Sequence, residues 1–185
     1  MTTARQADIK FNYHDYTLLP EDKRCELIQG DLLMTPAPTT MHQKILSNLL
    51  LRLGAYVEKK KVGVVFVAPT DVVLSDEDVV QPDLLFISND RKGIIKPENI
   101  RGAPDLVIEI LSPATAERDL VIKRKLYAKF GVQEYWIVNP EEKTVEVMTW
   151  SEKGFQTVQV FPKGSDLHSP LLIGFSVSLR EIFEG

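Results

Sequence analysis

Cysteine is nearly absent from this chain. Cys25 is the only one, which excludes an intrachain disulfide and a zinc cage built from several thiolates. Positive charge is not in excess either. Lys and Arg number 22 against 26 Asp and Glu, a formal net charge of -4. The chain as a whole is therefore no electrostatic glove for nucleic acid, and any such binding must use a local basic surface or metal ions. No apolar run approaches the roughly 18 residues of a membrane span, and the opening MTTARQADIKF lacks the apolar centre of a signal peptide. A cytoplasmic protein without membrane contact is expected. Phosphate-loop glycines, a GxSxG elbow, an HExxH helix and the dinucleotide-binding glycine pattern are missing as well. What remains is an ordinary globular mixture, 44% hydrophobic and 26% charged, able to build a core without cross-links. One domain over residues 1–185 is expected, its core at about 40–140 and a hairpin with a tail at 141–185.

Hydrophobic periodicity then orders the chain. Residues 11–20 suggest a short helix or turn, and residues 26–28 and 32–34 a small hairpin about Gln29-Gly30-Asp31. TPAPTT at 35–40 suits no regular state, but its last residue, Thr40, can cap a helix. That helix is marked by His42, Ile45, Leu46, Leu49, Leu53, Tyr56 and Val57, with three lysines at its negative end. Residues 62–74 and 79–87 read as strands of a hairpin around Ser-Asp-Glu-Asp. PDLVIEIL at 104–111 reads as a strand buried on both faces. A second helix is expected from Thr115 to Phe130, closed by Gly131, followed by a strand at 134–139. TVEVMTW and FQTVQVF flank SEKG as a last hairpin, and LREIF reads as a short terminal helix. Strand, helix, strand in succession favours a parallel crossover. With the preceding hairpin this makes an α/β fold: a mixed central sheet with helices on both faces.

Two acids stand where a purely structural strand would not put them. Asp83 follows Pro82 at the start of an apolar strand, and Glu109 lies between Ile108 and Ile110. An ionised carboxylate in such surroundings costs several kcal/mol, roughly, unless a cation or donors compensate it. Strand alternation puts Asp105, Val107, Glu109 and Leu111 on one face, so Glu109 can meet an acid from a neighbouring strand. Converging carboxylates make an oxygen site suited to Mg²⁺ or Mn²⁺. On the second helix Asp119, Lys123 and Tyr127 follow at i, i+4 and i+8, which places them on one face, while Lys125 points roughly 200° away from Lys123. Each residue alone has a plain structural reading: a paired core Glu, a strand-start Asp, a surface ion pair between Asp119 and Lys123. Their conjunction points to chemistry. Asp71 is a reserve acid, His42 reads either as a satisfied, partly buried histidine or as a phosphate contact, and His14 and His168 carry no signal.

ELIQG from Glu26, His42 on the first long helix, QPD at 81–83 and PDLVIEILSP at 104–113 resemble the Uma-two family of putative restriction endonucleases. So do Asp119, Lys123, Tyr127, GVQEYWIVNP at 131–140, SPLLIGF at 169–175 and LREIF at 179–183. The resemblance covers nearly the whole chain, from about residue 16 to residue 183, and lies in the ordered set rather than in any one piece. It implies a restriction-endonuclease-like αβββαβ core of the PD-(D/E)xK superfamily, with an N-terminal hairpin and a C-terminal β-hairpin extension. It further implies a metal-dependent endonuclease acting on DNA, with Asp83, Glu109, Lys123 and Glu26 catalytic. Asp83, Glu109 and Glu26 would hold Mg²⁺ or Mn²⁺, and His42 and Asp119 would support them. The superfamily's lysine sits two residues after the strand Glu, where this chain has Leu111; Lys123 is its expected replacement. A duplex cutter with one site per chain is expected to be a homodimer. The other reading of the same residues is a nuclease fold used only to bind nucleic acid or a partner protein.

Overall fold

The computed structural model describes residues 9–20, 23–113 and 116–185. Helix α1 (Tyr13–Thr17) opens on a capping box in which Asn12 and Asp15 satisfy each other's backbone N–H. Strands β1 (Cys25–Ile28) and β2 (Asp31–Met34) follow. Gln29 and Gly30 between them both have positive φ, +53° and +77°, the conformation that a two-residue hairpin of matching twist requires. Helix α2 (Thr40–Lys60) is capped by Thr39, which accepts from the His42 N–H, so the cap lies one residue before the expected Thr40.

The two long strands expected at 62–74 and 79–87 are four: β3 (Gly63–Val67), β4 (Val72–Ser75), β5 (Asp78–Val80) and β6 (Leu84–Ser88). β4 and β5 do form a hairpin. It belongs to a different sheet from β3 and β6, which pair with one another from Gly63 opposite Ser88 to Val67 opposite Leu84. The breaks fall at Pro69 and Pro82, residues that cannot donate to a ladder, and there the chain passes from one sheet to the other. β7 (Ile100–Arg101) adds a parallel edge beside β4.

β8 (Leu106–Ile110) runs parallel to β9 (Glu134–Asn139), and the segment joining them is helical. It is not the uniform α-helix expected. A π-helical turn occupies Arg118–Lys123 before α3 (Arg124–Phe130), which Gly131 closes with a φ of +79°. Thr115, its expected start, lies outside the described residues. β10 (Thr144–Ser151) and β11 (Gly154–Phe161) form the C-terminal hairpin. β12 (Asp166–His168), β13 (Ser176–Ser178) and α4 (Leu179–Phe183) complete the tail.

The larger sheet has the order β11-β10-β9-β8-β6-β3 and is antiparallel except between β8 and β9; the smaller has the order β2-β1-β5-β4-β7. Taken as α2, β3, β6, β8, α3 and β9, the chain has the αβββαβ core and mixed sheet that were expected. Two apolar layers sandwich that sheet. Ile45, Leu49 and Leu53 of α2 pack with Leu106, Ile108 and Ile110 on one face. Leu126 and Tyr127 of α3 pack with Leu85, Val107 and Tyr135 on the other. Each fully buried aliphatic side chain contributes about 1.5–3 kcal/mol. The alternation along β8 turns Glu109 toward α3. The tail is tied to the sheet through Glu134, whose buried carboxylate accepts from Trp136 Nε1 (2.6 Å), Ser169 Oγ (2.7 Å) and Leu171 N (2.8 Å). Among the described residues, no helix is long and apolar enough to cross a membrane.

Candidate functional site

β6 and β8 meet with Leu84 opposite Ile108, and one more step of that register brings Asp83 beside Glu109. Asp83 Oδ2 accepts the Ile110 N–H at 2.7 Å and lies 3.1 Å from His42 Nε2. An oxygen that already accepts one proton is an acceptor for the second partner too, so Nε2 carries the imidazole proton and donates. α2 thus fixes Asp83 from one side of the sheet.

Helix α3 and the turn before it address Glu109 from the other side. Glu109 is 3% exposed, and its Oε1 accepts from Lys123 Nζ at 2.9 Å and from the Tyr127 hydroxyl at 2.6 Å. Lys123 Nζ also lies 2.8 Å from Glu26 Oε1 and 3.4 Å from Asp119 Oδ1, so three carboxylates surround the ammonium. Lys125 is exposed. Leu111, at the superfamily lysine's position, packs against the apolar layer that holds Leu126 and Tyr127.

The π-helical turn reverses the usual amphipathic order. It buries Asp119 and Lys123 while Leu120, Val121 and Ile122 are 40%, 48% and 38% exposed. Such a turn forgoes hydrophobic burial in order to bring charge to Glu109, a conflict with local patterning that is characteristic of functional sites.

Glu26 arrives from β1 in the smaller sheet. Its Oε1 accepts from Gln81 N at 2.8 Å and from Lys123, and its Oε2 faces Arg118 Nη1 at 3.2 Å. Both oxygens are engaged in this arrangement, and through them Glu26 holds Lys123 and Arg118 in place. Asp71, the reserve acid, stands apart, bound by the Tyr16 hydroxyl and Gln81 Nε2 at 2.9 Å each.

The cluster sets four carboxylates, Glu26, Asp83, Glu109 and Asp119, against two cations, Lys123 and Arg118. Burial pushes the Glu109 carboxyl well above its ordinary range; Lys123 opposes that shift, and Asp119, Asp83 and Glu26 add to it. Burial alone would lower Lys123, but Glu109, Glu26 and Asp119 outweigh it and hold the ammonium charged. These groups line a pocket of about 230 Å³. All six residues singled out from the sequence, Asp83, Glu109, Lys123, Glu26, His42 and Asp119, stand on its wall.

The donor set suits a hard divalent cation. Asp83 Oδ1 and Glu109 Oε2 accept no hydrogen bond from a described residue, so each acid keeps one oxygen uncommitted, and negative charge is in excess. Among the described residues, no three His, Cys, Asp or Glu side chains stand at ligand spacing. The cluster offers two carboxylates, and solvent or substrate oxygens would complete the shell.

Sequence reasoning missed Arg118 and Arg24, both on the pocket wall. Arg118 could have been suspected because it precedes Asp119. Arg24, just outside an expected hairpin, carried no signal.

A solved structure of a protein described as a putative nuclease from Anabaena variabilis is similar to this chain, with a TM-score of 0.79 and 23% identity. The match covers 94% of this chain and 98% of that one, and shows a shared fold. No curated protein matches the chain. The model of the Uma2 family, described as putative restriction endonuclease, matches residues 12–180. Over that span lie both sheets, the αβββαβ core and every residue of the candidate site, and the chain belongs to the Uma2 family.

Proposed function

We propose that this chain is a metal-dependent endonuclease that hydrolyses phosphodiester bonds in DNA, with Asp83 and Glu109 holding one Mg²⁺ or Mn²⁺ ion. The observation that carries this reading is a pair of carboxylates on adjacent strands, each with one uncommitted oxygen, beside a buried ammonium. When bound, the ion would neutralise phosphate charge and make water a nucleophile near neutral pH.

The chain's own residues supply the positioning. His42 and the Ile110 N–H fix the Asp83 carboxylate, and the Tyr127 hydroxyl fixes Glu109. Glu26 and Asp119 keep Lys123 charged and aimed. From there Lys123 donates to the negative charge that develops on the phosphorus oxygens during attack. Cutting both strands of a duplex calls for two such sites, and we infer a homodimer for that reason.

The test is incubation of supercoiled plasmid with the purified chain, with Mn²⁺ or with chelator. Nicked and linear DNA should form with Mn²⁺ alone, and Asp83→Asn and Glu109→Gln should form neither. A folded, Mn²⁺-binding chain that cuts no duplex or single-stranded DNA would overturn the enzymatic reading and leave a binding module.

A further inference from the structure

The pocket also has a wall of different chemistry. It is built by the open end of the β1–β2 hairpin, where the Thr35 N–H donates to the Arg24 carbonyl at 2.9 Å, one step beyond the Cys25–Met34 pair. Arg24 and Thr35 are thus cross-strand neighbours, and both line the pocket. Arg24 Nε and Thr35 Oγ1 are buried and have no hydrogen-bond partner among the described residues. Arg24 forms no ion pair with a described residue either, in a chain whose carboxylates outnumber its cations. Arg118 differs: its guanidinium is taken up by Glu26 and by the Met34 carbonyl (3.3 Å), next to Thr35.

A buried donor left unpaired costs about 1–3 kcal/mol, so two side by side on a cavity wall mark a place where a ligand is expected. Their chemistry selects an anion. A guanidinium presents a planar fork of N–H groups matched to two phosphate oxygens, and a threonine hydroxyl can donate to the same group. Arg24 and Thr35 come from the β1–β2 hairpin of the smaller sheet, whereas Asp83 and Glu109 stand at β6 and β8 of the larger one, a separate origin that suits a phosphate other than the one undergoing attack.

We propose that Arg24 and Thr35 form an anion subsite that takes a DNA phosphate flanking the scissile one. The identity of the ligand rests on the nuclease reading above, and the existence of the subsite rests on the unpaired donors. The subsite is a binding determinant: it holds the strand in register while the acids and Lys123 act one phosphate away.

Two measurements separate these layers. In chelator, which stops cleavage, binding of a short labelled duplex is followed by fluorescence anisotropy against salt for the native chain, Arg24→Met and Arg24→Lys. Arg24→Met should raise Kd about tenfold and flatten the slope of log K against log salt by about 0.9, the loss of one phosphate contact. Arg24→Lys should recover part of both. With Mn²⁺ present, Arg24→Met should raise KM and leave kcat within about twofold. Equal Kd and equal slope in the native chain and Arg24→Met would overturn the proposal and leave the nuclease reading standing. The second measurement titrates inorganic phosphate into the ¹⁵N-labelled native chain and follows the Arg24 Nε–H resonance, assigned by its loss in Arg24→Lys. A shift of that resonance is expected. If the native chain neither binds nor cuts DNA, the nuclease reading is lost, and the phosphate arm alone decides the subsite: a shift retains it and an unmoved resonance removes it.

Discussion

Lys123 Nζ lies 2.9 Å from Glu109 Oε1, with both side chains at most 5% exposed. Removing one member of such a pair leaves its partners buried without a counter-charge, which costs about 3–5 kcal/mol. Lys123→Ala should lower the unfolding free energy in urea by that amount, with Glu26, Glu109 and Asp119 all losing their common cation. Lys125→Ala, on the exposed side of the helix, should stay within about 0.5 kcal/mol of the native chain. Equal losses in the two variants would show that the pairing is not made. Should Lys123→Ala remain folded, its cleavage rate should fall about 10²–10³-fold, the usual loss for one donor to developing charge.

The Tyr127 hydroxyl shares Glu109 Oε1 with Lys123 at 2.6 Å. Tyr127→Phe removes one donor to a buried carboxylate and nothing else, which should destabilise the metal-free chain by about 1.5–3 kcal/mol. The urea midpoint should move at constant slope; an unmoved midpoint would deny the contact.

Much of this arrangement is legible in the sequence because it follows from short-range geometry. The period of two along LVIEIL puts Glu109 on the face opposite Leu106, Ile108 and Ile110, and the i, i+4, i+8 spacing aligns Asp119, Lys123 and Tyr127 beneath it. The division into two sheets is not legible. Residues 62–74 and 79–87 look like continuous strands, and only the prolines at 69 and 82 hint that the chain changes partner there. Glu26 as a holder of Lys123 is equally hidden, because it depends on where β1 of the smaller sheet docks against the π-helical turn. Arg24 is invisible for the same reason: its importance lies in what it fails to touch. Thr39 in place of Thr40 as the cap of α2 is an error of one residue at a boundary, where the hydroxyl's reach to the His42 N–H decides.

The raised Glu109 carboxyl gives the metal-free chain a pH dependence of definite sign. Folding favours the protonated form, so the penalty of the charged form is complete above the folded pKa. That penalty is relieved as pH falls through the folded pKa toward the ordinary value near 4.5. In chelator, the native chain should therefore gain stability relative to Glu109→Gln on going from neutral to mildly acidic buffer. A difference between the two melting temperatures that does not change with pH would contradict the shift.

β11 is the outer strand of the larger sheet, and Gly154–Phe161 carries no charged residue and no proline. An edge without charge or proline, interrupted only by the bulge at Val158, can pair antiparallel with its own copy about a two-fold axis. Light scattering should give twice the mass of one chain, and Val158→Lys, at a residue 53% exposed, should halve it. A monomeric native chain would remove the dimer from the account.

The central claim is that Asp83 and Glu109 share one divalent cation, and calorimetric titration with Mn²⁺ tests it most directly. The native chain should take up one Mn²⁺ per site, with Asp83→Asn and Glu109→Gln each abolishing the uptake while keeping a cooperative unfolding transition. No uptake by the native chain, or equal uptake by all three proteins, would contradict it.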